Sequence, residues 1–481
     1  MNRLLSKLKK IPAGAKSAGV YTLSSVFTRG LAILTVPIFT RLMPTEEIGL
    51  VNLYNSWYAL LSVFATLSLT SGGFAVAMKE YAGRRDEYQS SVLSLTSLTA
   101  LCLAGVYALA PGFWQKTLGL PNGLIVLMLI GFLVAPARDF WLARQRYEYK
   151  YRLAGAVSVL TAVLASLLSV LAVLRIGATA SVRLFVHYAV VYGAAGVIWI
   201  CLMAKGKKTF QREYWKMSLA VSLPLVGYNL AGQVLNVSDR MMISRMVGNS
   251  AVGIYGTLYT VSSLSLMVWQ AINASFVPHL FQHMEKRDGG IRKISGALME
   301  AYACVAVGLT WFAPEIVKIL ATEEYYEAIY IMPPIAAGVF FTSFANLYSN
   351  LAVYYKKTKY VMYPAVAAAA CNVALNFVFI RLFGYPAAAY TTLFSYMLLA
   401  GLQALWSGKV CRENGTPVGE IYDGRKMLLL AALTTGGCLA GIPLYAHPAL
   451  RYLLLLAGAA AAFAAGRKMV LARREKSAII K

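Results

Sequence analysis

Residues 40–50 read TRLMPTEEIGL, and residues 244–254 read SRMVGNSAVGI. At this offset of 204 residues Thr40 meets Ser244, Arg41 meets Arg245 and Gly49 meets Gly253. Upstream, on the same offset, Ser25 meets Asn229 and Arg29 meets Gln233. Apolar matches alone would mean little in a chain this apolar. Coincident arginines, glycines and polar residues inside apolar runs indicate an internal repeat. A second echo pairs LRIGATA (174–180) with IRLFGYPAAA (380–389).

The sequence around these segments is hydrophobic throughout. Its 481 residues are 59% apolar and 14% charged, with a mean hydropathy of +0.60. Soluble domains are about 45–50% apolar and about 25% charged, so a soluble enzyme is excluded and a polytopic membrane protein remains. Apolar runs fall at 17–40, 50–77, 91–110, 122–142, 154–174, 184–204, 217–238, 251–277, 294–313, 328–354, 360–380, 386–407, 427–445 and 449–466. All are expected to be helices, because lipid offers the backbone no other partner and no barrel alternation is visible. Six runs fall in each copy of the repeat, so both copies enter the membrane from the same side, as a parallel repeat about an axis along its normal. The expected fold is all-α, with about 14 transmembrane helices. Two six-helix bundles, 17–213 and 214–408, are related by pseudo-twofold symmetry. An extra helix pair follows in 409–466, and tails occupy 1–16 and 467–481.

Charge tests this count. The chain carries 45 Lys+Arg against 20 Asp+Glu. With the N-terminus inside and the runs alternating, 34 of those cations fall in inside segments and 9 in outside segments, with Arg29 and Arg138 left within spans. That asymmetry is a positive-inside signal, and it places both termini in the cytoplasm. No loop is long enough to fold by itself, and no Walker A, HExxH or GxSxG pattern occurs. Nucleotide-driven transport within this chain is excluded, and loop-borne catalysis has no motif to carry it. The six cysteines show no CxxC spacing, so no metal or disulfide role is expected.

Ionisable residues at membrane depth are functional candidates by default. Arg29 lies about a dozen residues from Lys16 and from Arg41, which puts it near the midplane. It is expected to face a central cavity and bind an anionic group. Arg138 and Asp139 lie toward the cytoplasmic end of their run, while Asp239, Arg240, Arg245 and Arg41 are expected near the outer surface. Only Asp139, Asp239 and Glu300 among the carboxylates are placed to couple transport to a proton or Na+ gradient. A cavity richer in arginine than in carboxylate favours anions. Amides add a polar face: Asn229, Gln233 and Asn236 follow helical spacing, and Gln270 and Asn273 lie in the next run. Arg29, Arg41, Arg138, Arg240 and Arg245 with these five amides form the candidate substrate-binding set. No catalytic residue, metal site or cofactor is expected.

LTVPIFTRLMPTEEIGLVNLY (34–54), the basic patch RQRYEYKYR (144–152) and NVALNFVFIRLFGYPAAAYTTLFSYML (372–398) carry a further signal. With the plan of six, six and two helices, they make the chain resemble the polysaccharide-transport (Wzx-like) oligosaccharide flippases of the multidrug/oligosaccharidyl-lipid/polysaccharide (MOP) exporter superfamily. The resemblance runs over nearly the whole chain, through diffuse motifs. It implies a bacterial plasma-membrane protein that moves an undecaprenyl-pyrophosphate-linked glycan (O-antigen, capsule or exopolysaccharide repeat unit) to the outer leaflet. It further implies a V-shaped cavity whose cations receive the pyrophosphate, with lipid-linked oligosaccharide, membrane lipids and other polysaccharide-assembly proteins as partners and no nucleic acid. The competing readings are a multidrug/cation antiporter of the same superfamily, which needs acidic cavity residues, and a non-transporting membrane enzyme of polysaccharide assembly, which needs a large outer loop.

Overall fold

The computed structural model describes residues 13–70, 73–284 and 289–458. Among these, thirteen helices are long and apolar enough to cross a membrane. In the first repeat they are α1 (Ala13–Leu42), α2 (Thr45–Thr66), α4 (Arg85–Leu109), α6 (Asn122–Tyr147), α7 (Tyr151–Arg175) and α8 (Ala180–Gly206), with short helices α3 (Gly73–Glu80) and α5 (Pro111–Leu118) between them. The second repeat begins with α9 (Arg212–Met246) and with α10 (Asn249–Ser262) and α11 (Ser265–His283), which together make one span. It continues with α12 (Gly290–Trp311), the short α13 (Ala313–Leu320), a 3-10 helix Glu323–Ile331 that runs into α14 (Met332–Tyr354), then α15 (Lys359–Phe383) and α16 (Ala387–Glu413). After a four-residue turn of helix, α17 (Val418–Ile421), comes α18 (Gly424–Leu444). The fourteenth expected run begins as an apolar helix, Pro448–Gly458, and its remainder lies outside the described residues with the basic tail and residues 1–12.

The chain is therefore an all-α polytopic membrane protein, and the departures from expectation are local. The second run ends early, because Leu67 and Ser68 turn left-handed and close α2 before α3. The seventh runs past residue 238 to Met246. Between α4 and α6, and between α12 and α14, sit α5 and α13, eight residues each. Both carry proline in their first turn, where a missing amide proton costs nothing. They are too short to register in a window of about 20 residues, yet they are mates in the repeat.

Packing shows where the two repeats join. One buried cluster is shared: it runs from Phe39, Ile48 and Tyr54 through Phe132 to Val252, Tyr255, Ile331 and Ile335. A second cluster, around Phe74, Tyr88 and Phe140, belongs to the first repeat apart from Tyr214. A third, around Trp269, Tyr302 and Phe340, belongs to the second together with the extra segment after it, which contributes Tyr422 and Met427. The halves are fused where α1 turns into α2 and α9 into α10; elsewhere their cores are separate except that the N-terminal end of α9 packs on the first bundle, where Tyr88 bonds Ser218 and Trp215 donates to the carbonyl of Ser91.

The fusion point is the repeated segment itself. A Cβ on Gly49 would lie 1.8 Å from the carbonyl oxygen of Asn249, and one on Gly253 would lie 2.0 Å from that of Thr45. Asn249 and Thr45 are themselves mates at the 204-residue offset, so the contact is symmetric, and α2 and α10 cross backbone to backbone on the pseudo-twofold axis. Only glycine permits that approach. Thr45 Oγ1 and Ser250 Oγ hydrogen bond across the seam at 2.7 Å. The turn into α10 also needs Gly248, whose φ is +127°; the first repeat makes the matching turn with Pro44 instead.

Candidate substrate cavity

Away from the fused end a cleft of about 490 Å³ opens between the halves. From α1 it is lined by Ser17, Tyr21, Ser25 and Arg29, four residues apart and so on one helical face. From α11 it is lined by Met267, Gln270, Ala271 and Ala274, and at the mouth by Arg146 and Tyr149. Arg29 marks its deep end. Its Nη1 donates to Gln270 Oε1, so one bond crosses from the first half to the second. A guanidinium holds five N–H donors, and the others remain for a ligand. The structure thus brings together two residues of the candidate set, Arg29 and Gln270.

Beside the cleft, and continuous with it through Tyr21, Ser25 and Arg146, is a pocket of about 310 Å³ inside the first bundle. Arg138, Arg146 and His187 line it together with hydroxyl groups from α1 and α7. Asp139 is accessible and within electrostatic reach of Arg138, Arg146 and Tyr58, but lines neither space. At the mouth, Glu148 binds Lys150 at 2.6 Å and Arg144 at 3.0 Å, and Arg144 also reaches Asp86. Partial burial pushes the Glu148 carboxyl up, but the bonds from Lys150 and Arg144 outweigh it and hold it below the usual glutamate range.

The remaining candidates lie elsewhere. Arg41 donates to the carbonyl of Ile319 at the C-terminus of α13, at 2.9 Å. Its mate Arg245 donates to the carbonyl of Thr117 at the C-terminus of α5. Each arginine caps the short helix of the opposite half, where the helix dipole favours a cation. Both are thus engaged at the fused end rather than in the cleft. Asp239 is buried at 1% exposure, seven residues before the end of α9 at Met246. It accepts from Tyr255 Oη at 2.6 Å and from the amide of Arg240 at 2.8 Å. The Arg240 guanidinium stacks on Tyr259 instead of facing the cleft. Tyr259 bonds Tyr396, which donates to Asn236 at 2.9 Å. Two residues on, Ser238 donates to Asn372, which is joined to Asn376. The second bundle therefore holds a polar network around one buried carboxylate. Asn229 donates to Ser68 of the first half at 2.9 Å, and Asn273 accepts from Asn350 at 2.9 Å. Gln233 is half-buried and bonded to nothing among the described residues. Glu300 is exposed and pairs with Lys426 at 2.7 Å, away from the cleft.

A family model described as polysaccharide biosynthesis protein matches residues 15–284, more than half of the sequence. The chain belongs to that family. A search of the curated proteins finds no match. Among solved structures, this polysaccharide biosynthesis protein is similar to the lipid II flippase MurJ in an inward closed conformation, at 15% identity and TM-score 0.63, over 91% of this chain and 99% of that one. It is also similar to an inward-facing multidrug resistance MATE family transporter of the MOP superfamily, at 13% identity and TM-score 0.59, over 80% of this chain and 95% of that one. A third likeness is to a MOP superfamily transporter from Pyrococcus furiosus described as having a binding pocket of reversed polarity, at 12% identity and TM-score 0.57, over 83% of this chain and 97% of that one. At such identities the likeness is one of fold. The family and the fold together make the protein a polytopic membrane protein of polysaccharide biosynthesis with the fold those transporters share.

Within this polysaccharide biosynthesis protein, sequence reasoning missed Tyr21, Arg146 and His187 as cavity residues. One signal was available: Ser17, Tyr21, Ser25 and Arg29 form a polar stripe at four-residue spacing through an otherwise apolar run. Arg146 reads as a loop cation in the sequence because it sits in a basic patch. His187 is a lone histidine in an apolar run, and only the fold brings it to Arg138.

Proposed function

We propose that this protein moves an undecaprenyl-pyrophosphate-linked oligosaccharide across the bacterial plasma membrane by alternating access. The observation that carries the reading is the lining of the cleft: Arg29 and Arg146 contribute, and no carboxylate among the described residues does. A pyrophosphate entering low dielectric needs compensating charge, because its desolvation is otherwise prohibitive. Arg29 meets it at the deep end and Arg146 at the mouth, while the polyprenyl tail stays in lipid. With the positive-inside orientation, the open mouth faces the cytoplasm, where such a substrate would be loaded. The seam at Gly49 and Gly253 closes the outer side. The antiporter reading needs acidic groups in this space, and none lines it among the described residues.

For coupling to an ion gradient, Asp239 is the residue we propose. It is the one candidate carboxylate that is buried, and its network links α9, α10, α15 and α16, so charging or neutralising it would alter the packing of the second bundle. Glu300 is a surface partner of Lys426 and is not proposed for this role; Asp139 stays the alternative. Translocation in proteoliposomes tests the whole reading: protein-dependent exposure of a fluorescent undecaprenyl-pyrophosphate oligosaccharide, lost in Arg29→Ala, supports it. Dye uptake against a proton gradient without glycan exposure would replace it with the antiporter.

A further inference from the structure

The side pocket in the first bundle has a composition that the pyrophosphate does not require. Tyr21, Ser24, Ser25 and Thr28 line it from α1, and Ser158, Thr161 and Ser166 from α7. Several of these hydroxyl groups already donate to main-chain carbonyls: Thr28 to Ser25 at 3.1 Å, Ser158 to Ala154 at 2.8 Å and Tyr21 to Lys150 at 3.3 Å. Their protons are committed, so what they offer the pocket is oxygen lone pairs. Ser24, Ser25, Thr161 and Ser166 make no side-chain hydrogen bond among the described residues and can donate or accept, while the charged donors are Arg138 and Arg146, with His187 beside them. Neither guanidinium is hydrogen-bonded or ion-paired among the described residues; Arg146 stacks on the Tyr21 ring, 5.3 Å from its centroid.

This donor–acceptor pattern fits one chemical class. Sugar hydroxyls donate to fixed oxygen acceptors, and a carboxylate accepts from arginine in the bidentate geometry that lysine cannot supply. Arg138 and Arg146 lie eight residues apart on α6, about 12 Å along the axis, at opposite ends of the space. A volume of about 310 Å³ takes a single sugar ring with little to spare, not a chain. The pocket joins the cleft at Tyr21, Ser25 and Arg146, so a sugar near the pyrophosphate could enter while the phosphates stay between Arg29 and Arg146.

We propose that this pocket is a specificity subsite for an acidic sugar, a hexuronate ring or its like, and that the protein selects lipid-linked glycans carrying one. The inference rests on the flippase reading and deepens it. Arg138 holds the carboxylate, His187 adds a donor, and the hydroxyls of α1 and α7 accept from the ring.

Two undecaprenyl-pyrophosphate trisaccharides test it, identical except that the sugar next to the pyrophosphate is glucuronate in one and glucose in the other. Both carry the pyrophosphate, so any difference belongs to the carboxylate. In proteoliposomes the natural protein should move the glucuronate form about tenfold faster at limiting substrate, the discrimination expected of a charge-assisted bond left unmade. Arg138→Gln should bring that ratio to near one, and His187→Gln should lower it in part. Transport of the glucose form by the same preparations reports folding. A ratio of one in the natural protein overturns the proposal, as does equal loss of both substrates in Arg138→Gln, which would assign the pocket to the pyrophosphate. Saturation-transfer NMR of the two free trisaccharides on purified protein separates the two readings. Selective binding of the acidic form without transport would overturn the flippase reading alone. No selectivity in binding would overturn this inference alone.

Discussion

Arg29 does two things at once in this structure. It spends one Nη on Gln270 and presents the rest of its fork to the cleft. A lysine carries the charge but cannot bridge both directions. Arg29→Lys should therefore retain about a tenth or less of transport, the loss expected for a charged hydrogen bond, with Arg29→Ala inactive and still inserted. Initial rates in reconstituted vesicles decide between these, and a fully active Arg29→Ala would remove Arg29 from the substrate path. Asp239 gives the second test at this scale. Asp239→Asn preserves the shape and the Tyr255 contact but fixes the charge at zero, so transport should persist and lose its dependence on an imposed gradient. Unchanged gradient dependence would move coupling away from the second bundle. Glu148 gives a third. Its folded carboxyl lies below its ordinary value of 4.5 because Lys150 and Arg144 bind the ionised form. The stability it contributes is present above that ordinary value and is lost as pH falls through the folded one. Thermal unfolding followed from pH 6 downward should show this loss, and Glu148→Gln should flatten the profile in that window. An identical pH profile for the variant would mean the mouth cluster adds nothing.

At the scale of elements, the two glycines of the repeat decide whether the seam can close. Alanine at Gly49 places a methyl 1.8 Å from a main-chain oxygen, and main chain cannot step aside as a flexible side chain can. Overpacking of this kind costs about 1–3 kcal/mol or more, and here it is charged to one conformation only. Gly49→Ala and Gly253→Ala should therefore leave the protein folded but disfavour the state with the fused end shut. Greater modification of a cysteine at Ser250 by a membrane-impermeant thiol reagent would register this; equal protection would contradict it. The helices themselves were legible because hydropathy and the positive charge asymmetry act over whole spans. The pair α5 and α13 was not, since eight residues leave no such trace. That omission misplaced Arg41 and Arg245: with no helix ends in view, two outer arginines read as ligand-binding, whereas the fold gives each a row of carbonyls to cap. Asp239 was read as ending its span for a related reason. An ionisable residue reads as the end of a hydrophobic run, yet α9 continues two turns beyond it because Tyr255 and its neighbours satisfy the carboxylate internally.

For the whole molecule, the repeat offset was the most informative feature of the sequence, and the structure gives it a physical meaning. Mates in sequence are partners in space: Gly49 opposite Gly253, and Arg41 and Arg245 capping each other's short helix. Cores shared at the fused end and largely separate elsewhere make two bodies that can rock about that seam. Cross-linking tests this motion. Thr45→Cys with Ser250→Cys replaces hydroxyls 2.7 Å apart, so a disulfide should form in this state, stop transport, and release it on reduction. Transport at full rate with the bond formed would mean that the halves need not part there. Arg29, which lines the cleft, stands out in the sequence as a charge inside an apolar run, but the side pocket leaves no such mark, because Arg138, His187 and the hydroxyls of α1 and α7 come from four helices that only packing assembles.

The most direct test of the central claim is outer-leaflet exposure of a fluorescent undecaprenyl-pyrophosphate oligosaccharide in vesicles containing the purified protein, compared with vesicles containing Arg29→Ala. The account predicts protein-dependent exposure that the substitution abolishes at equal protein content. Exposure that is absent with the natural protein, or equal with the variant, contradicts it.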